Sequence, residues 1–255
     1  MWYQIFAYFK FFFKSTNQHG IHSPFVYDLV TQCFYDKKRF HEYPFIDQYR
    51  KELLNNHTLI EVKDFGAGSR VFSSNKRKVS AIAKNAGISR KRARLLHRLT
   101  HYLTLNKSLE IGTSLGLASK ALHYNANKLI TIEGCPETAK IAQNQFDKHK
   151  MKNIKLIVGE FETELPKLIN TNYDLVYFDG NHQKEATLLY FETLLQTIHN
   201  ETVFIFDDIH WSKEMTEAWE TIKNHPKVIV TIDTFFWGFV FFRKEQVKEH
   251  FIVRL

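Results

Sequence analysis

From residue 107 onward, short apolar runs alternate with longer stretches whose apolar positions recur every three or four residues. The runs at 107–110, 128–132, 154–158, 173–178 and 203–206 predict strands, and YDLVYF at 173–178 is of the kind buried on both faces. Between and after them, 136–149, 187–198 and 212–224 predict helices, the last capped by Ser212. Two further runs, 228–232 and 238–242, predict closing strands joined by a short hairpin-like link. Strands alternating with helices in this way predict an α/β fold.

Residues 1–104 read differently, as a helical extension ahead of a domain at 105–255. Ser23 and Pro24 mark a helix start, 40–54 is a charged helical stretch, and 76–104 predicts two helices. Ser89 caps the second of these, and Leu95, Leu96, Leu99 and Leu103 form its apolar stripe. Residues 1–14, MWYQIFAYFKFFFK, are too short and too punctuated by lysine to span a bilayer. They predict a helix packed on its own domain or on the partner in a homodimer, with peripheral membrane contact as the alternative. Asp64, Gly66 and Gly68 form an acid-and-glycine turn, but polar Ser73, Ser74, Asn75 and Lys76 follow where an apolar helix should begin. That turn reads as a loop.

The chemistry gathers on KSLEIGTSLGLASKAL, residues 107–122, which reads strand, glycine turn, helix. A helix starting straight after such a turn offers unpaired backbone N–H groups, and Gly112 and Gly116 let a ligand approach the backbone. Glu133 ends the next strand, about 20 residues on, where a βαβ unit places the acid that takes ribose hydroxyls. A nucleotide-like ligand is expected. The turn departs from the dinucleotide fingerprint, because Ser114 stands at its second glycine and Glu110 lies two residues before Gly112.

With these motifs in order, residues 107–244 resemble the class I S-adenosylmethionine (SAM) dependent methyltransferases. The resemblance implies a Rossmann-like, seven-stranded, mostly parallel sheet whose last strand is antiparallel, with SAM as cofactor. It assigns Glu110, Gly112, Thr113, Ser114, Gly116, Glu133 and Asp179 to the cofactor and sets Glu160 near the adenine. Asp179, Asp207 and Asp208 match the metal positions of divalent-metal-dependent O-methyltransferases, where carboxylates hold Mg²⁺. Here His182 takes that subgroup's lysine position and Asp208 its asparagine position, which is closer to the sugar and macrolide branch. Methyl transfer needs an aligned nucleophile and a base, so His182, His210 and Asp179 are the candidate catalytic residues. No Asn/Asp-Pro-Pro-Tyr signature is present, which leaves a hydroxyl of a small-molecule acceptor ahead of a planar nitrogen.

Two rivals stand beside this. GTSLG spells the hydrolase elbow G-x-S-x-G with Ser114 as nucleophile, yet no HGGG-like segment precedes it. The formal charge of +8 and the basic residues Lys76, Arg77, Lys78, Arg90, Lys91, Arg92, Arg94 and Arg98 would also suit an inactive fold that binds RNA or a membrane surface. Aromatics are not interleaved with that run, so a solvated helical face is the better reading and no nucleic-acid partner is expected. Two separated cysteines, Cys33 and Cys135, exclude a disulfide scaffold and point to a reducing, cytoplasmic setting.

Overall fold

The computed structural model describes residues 2–63 and 74–255; the turn at Asp64, Gly66 and Gly68 lies outside them. The chain divides into two compact units, one made of residues 1–35 and 165–255, the other of 36–164.

The first unit opens with α1 (Trp2–Lys14) and α2 (Pro24–Leu29), the second of which starts as the sequence predicts: the Ser23 hydroxyl accepts from the Val26 N–H and Pro24 follows. The second unit then runs α3 (Tyr43–Leu54), β1 (Leu59–Glu61), β2 (Lys76–Lys78), α4 (Val79–Asn85), α5 (Arg90–Leu103), β3 (Lys107–Ile111) and α6 (Leu117–Leu122). It closes with β4 (Lys128–Glu133), α7 (Pro136–Lys148), β5 (Ile154–Val158) and α8 (Phe161–Glu164). The chain re-enters the first unit as β6 (Leu175–Phe178), α9 (Lys184–Leu194), β7 (Val203–Asp207), α10 (Lys213–Asn224), β8 (Val230–Asp233), β9 (Trp237–Phe241) and β10 (Glu249–Ile252).

In the second unit β3, β4 and β5 lie side by side and parallel, with Leu109, Ile111, Leu129 and Ile132 fully buried. In helix α5, three arginines of the basic run have partners on α3. Arg90 and Arg94 both pair with Asp47 of α3, the latter at 2.6 Å, and Arg98 donates to the Tyr43 hydroxyl at 3.2 Å. A small antiparallel pair, β1 with β2, stands where the sequence predicts no strand.

In the first unit the strands order β10-β8-β9-β7-β6. β6 and β7 are parallel, and β9 runs antiparallel to both its neighbours, as expected of the late strand. Besides the β1–β2 pair, the described residues hold five strands in this unit and three in the second, where the sequence predicts seven in all. The additional one is β10, parallel to β8, a short edge strand with only Phe251 buried, so its apolar signal is slight.

Candidate active site

In the second unit the glycine turn is built as much by its backbone as by its side chains. Gly112 and Gly116 take φ values of 100° and 77°, and Ser114 between them takes 49°, all in the left-handed region. At Gly116 a Cβ would also lie 2.5 Å from the Phe146 ring and 2.6 Å from the Tyr49 hydroxyl, so glycine is required twice over. Tyr49 is fully buried and donates to the Leu115 carbonyl at 2.9 Å, which braces the turn from α3. From the other side the N–H groups of Gly112 and Thr113 both reach the Ile132 carbonyl at 3.0 Å. Thr113, only 2% exposed, shares a hydroxyl hydrogen bond with Thr131 and so packs the turn onto β4.

Glu133 closes the circuit. Its Oε2 accepts from the Ser114 N–H at 2.7 Å and its Oε1 from the Cys135 N–H at 2.9 Å. Two backbone donors orient the carboxylate across the turn. The Gly159 N–H donates to the Glu133 carbonyl, and the Glu160 carbonyl starts α8, so Glu160 sits two residues past Val158, the strand end that pairs with Glu133. Glu110, by contrast, is fully buried. Its Oε2 accepts from Ser119 of α6 and, at 2.6 Å, from Thr131 of β4, while Oε1 has no partner among the described residues. Burial pushes its carboxyl up to about 7, against the pull of those two hydroxyls. Glu110 therefore ties strand to helix beneath the turn.

In the first unit, register sets Phe178 of β6 beside Phe206 of β7, so Asp179 and Asp207 follow at neighbouring carboxyl ends. His182 Nε2 lies 3.9 Å from Asp179 Oδ1, both partly exposed, and its ring stands 6.4 Å from that of Trp211. His210 is placed differently. Its Nε2 meets Asp233 Oδ2 at 2.9 Å, its Nδ1 meets the Thr216 hydroxyl at 3.0 Å, and its ring stacks on Phe235. With both ring nitrogens engaged, His210 anchors the β7 end to β8. Asp208 bends the chain at φ 52°, its carbonyl accepting from the Trp211 N–H, and Asp207 is only 5% exposed.

Comparison with known proteins bears on what these parts serve. Residues 109–209 match the family model described as a methyltransferase domain. That stretch, under half of the chain, is similar to a methyltransferase domain. Among solved structures, the O-methyltransferase from Bacillus cereus in complex with SAH is similar at 16% identity and TM-score 0.55, covering 83% of this chain and 95% of that one. A SAH-bound Podospora anserina methyltransferase reaches TM-score 0.61 at 14% identity, over 88% and 97% of the two chains. TomG from Streptomyces achromogenes, an O-methyltransferase involved in tomaymycin synthesis and seen with SAM, reaches 0.58 at 16%, over 84% and 95%. At such identities the likeness is one of fold. No curated protein sequence matches the chain.

Around this turn the sequence missed the bracing residues. Tyr49, Ser119 and Thr131 carry no motif, since what makes them part of the site is a contact across the fold. Asp233 had a signal: it is a further acid at a strand end. The aromatic residues Tyr177 and Trp237 are 0% and 1% exposed and belong to the core, not to an acceptor surface. Among the described residues no three His, Cys, Asp or Glu side chains are grouped to hold a metal ion, so Asp179, Asp207 and Asp208 do not fit one as a set. No histidine hydrogen-bonds to Ser114 among the described residues, and its N–H serves Glu133.

Proposed function

We propose that this domain transfers the methyl group of SAM to a hydroxyl oxygen of a small-molecule acceptor. The observation that carries the reading is the Glu133 carboxylate, spanning the glycine turn through the N–H groups of Ser114 and Cys135. A carboxylate so held suits a ribose diol, and side-chain-free Gly112 and Gly116 suit a ligand lying on the backbone. Gly112, Thr113, Ser114, Gly116, Glu133 and Glu160 would hold the cofactor, and Glu110 would keep their turn in shape.

When bound, SAM supplies a methyl carbon on a sulfonium whose leaving group is already activated. His182 Nε2 would take the proton of the acceptor hydroxyl as that oxygen gains the methyl group. Asp179, whose Oδ1 lies 3.9 Å from that nitrogen, would steady the charge that forms there. His182 is preferred to His210 because the latter's two nitrogens are held by Asp233 and Thr216. No step uses Mg²⁺. Cys33 and Cys135 are buried thiols without a disulfide, which supports work in the cytoplasm.

Calorimetric titration with S-adenosylhomocysteine tests the cofactor half. Binding should be present in the wild type and weakened at least about tenfold in Glu133→Ala, the cost of a lost charge-assisted pair of hydrogen bonds. Absence of binding in the wild type would sink the reading. His182→Ala should bind the ligand unchanged and lose turnover by about 10²-fold or more once an acceptor is in hand.

A further inference from the structure

The most exposed apolar surface among the described residues is on α1, outside everything used above. Helical spacing sorts its 13 residues cleanly. Phe11 is buried, and with Tyr8 it packs on Phe235 at ring-centroid distances of 5.5 and 4.9 Å. On the opposite side Trp2, Phe6, Phe9 and Phe13 follow at i, i+4, i+7 and i+11, and they are 72%, 68%, 56% and 83% exposed. Lys10 and Lys14 flank this stripe, both exposed, and the helix holds no acidic residue.

We infer that α1 is a docking face for an anionic lipid bilayer and lies in the plane of its headgroups. Three features choose that occupant. Large aromatic rings sit at the headgroup boundary, where their apolar bodies leave water. The charges are of one sign, which complements anionic lipid but would meet only lysines on a second copy of the same helix. The exposed rings also spread far round the helix, with Phe12 at 45% and Ile5 at 41% beside the stripe. One opposing helix would cover only a narrow seam of that face, whereas a fluid surface conforms to all of it. The helix is about 20 Å long, too short to cross a hydrocarbon layer of about 30 Å, so it lies on the surface.

The proposal does not rest on the methyl-transfer reading, and its test does not use it. The full chain is sedimented with vesicles of phosphatidylcholine alone and of phosphatidylcholine with phosphatidylglycerol, at low and high salt. Binding should rise severalfold with the anionic lipid and fall as salt screens it. The triple variant Phe6→Ser, Phe9→Ser, Phe13→Ser should lose at least about tenfold in vesicle binding, because each ring removes buried apolar area. These side chains point to solvent, so its thermal unfolding should match the wild type and show the loss to be one of docking. Wild-type protein that stays in the supernatant would overturn the inference, as would binding indifferent to the ring substitutions or to lipid charge. A dimer seen by light scattering without vesicles, dissociated by the same variant and paired with no vesicle binding, would assign the face to a second copy and overturn it equally.

Discussion

At Gly116 a left-handed φ and a closed space coincide, since any Cβ meets Phe146 and Tyr49. Gly116→Ala should therefore cost on the order of 3 kcal/mol, combining about 1–2 for the backbone and about 1–3 for overpacking. Urea unfolding measures it; a loss under about 1 kcal/mol would mean that the Tyr49 brace gives way freely. Glu110 invites the opposite experiment. Its carboxyl is raised to about 7 by burial, so the folded state keeps a proton that the unfolded chain releases from about pH 4.5 upward. Its contribution is complete below that range and is lost as pH rises through about 7. Glu110→Gln accepts from Ser119 and Thr131 alike without a charge to bury. The variant should match the wild type near pH 5 and exceed it by about 2–3 kcal/mol near pH 8, read from urea midpoints.

At the scale of elements, a buried histidine in α5 and a half-buried one at the end of α6 make the second unit sensitive to acid. His97 of α5 is 1% exposed, set among the rings of Phe40, Tyr43 and Tyr124, and burial lowers it to about 4 although Glu42 pulls the other way. His123, at the end of α6, is lowered to about 3 by burial and then by the Lys120 ammonium. Both fold as neutral rings, while the unfolded chain takes up protons near 6.5. Their stabilisation is present above that value and is lost as pH falls toward 4. The melting temperature should drop between pH 7 and pH 4, and His97→Phe should flatten the drop. An unchanged slope in that variant would locate the acid sensitivity elsewhere.

For the whole molecule the question is what the reaction needs besides the chain. The carboxylates at the ends of β6 and β7 lie at neighbouring register positions, yet among the described residues no set of three groups is arranged for a metal. Turnover should accordingly survive excess EDTA and gain nothing from added Mg²⁺. A fall in rate of about tenfold or more with EDTA, restored by Mg²⁺, would bring Asp179, Asp207 and Asp208 back as ligands.

How much of this was legible in the chain follows the range of the forces involved. Sequence by itself determined the strand–turn–helix at 107–122, the acid at Glu133 and the acidic ends at Asp179 and Asp207, because hydrophobic periodicity and left-handed glycines are local properties. Tertiary structure alone decided what each polar residue does. His182 and His210 follow equivalent strand ends and look alike in sequence, but packing sets one near Asp179 and locks the other between Asp233 and Thr216. Glu110 and Glu133 are both acids at strand ends; one is sealed beneath the turn and the other spans it, since burial and hydrogen-bond partners are settled by residues far away in the chain. The edge strand β10 and the Tyr49 brace were invisible for the same reason: both exist only through contacts that no local pattern encodes.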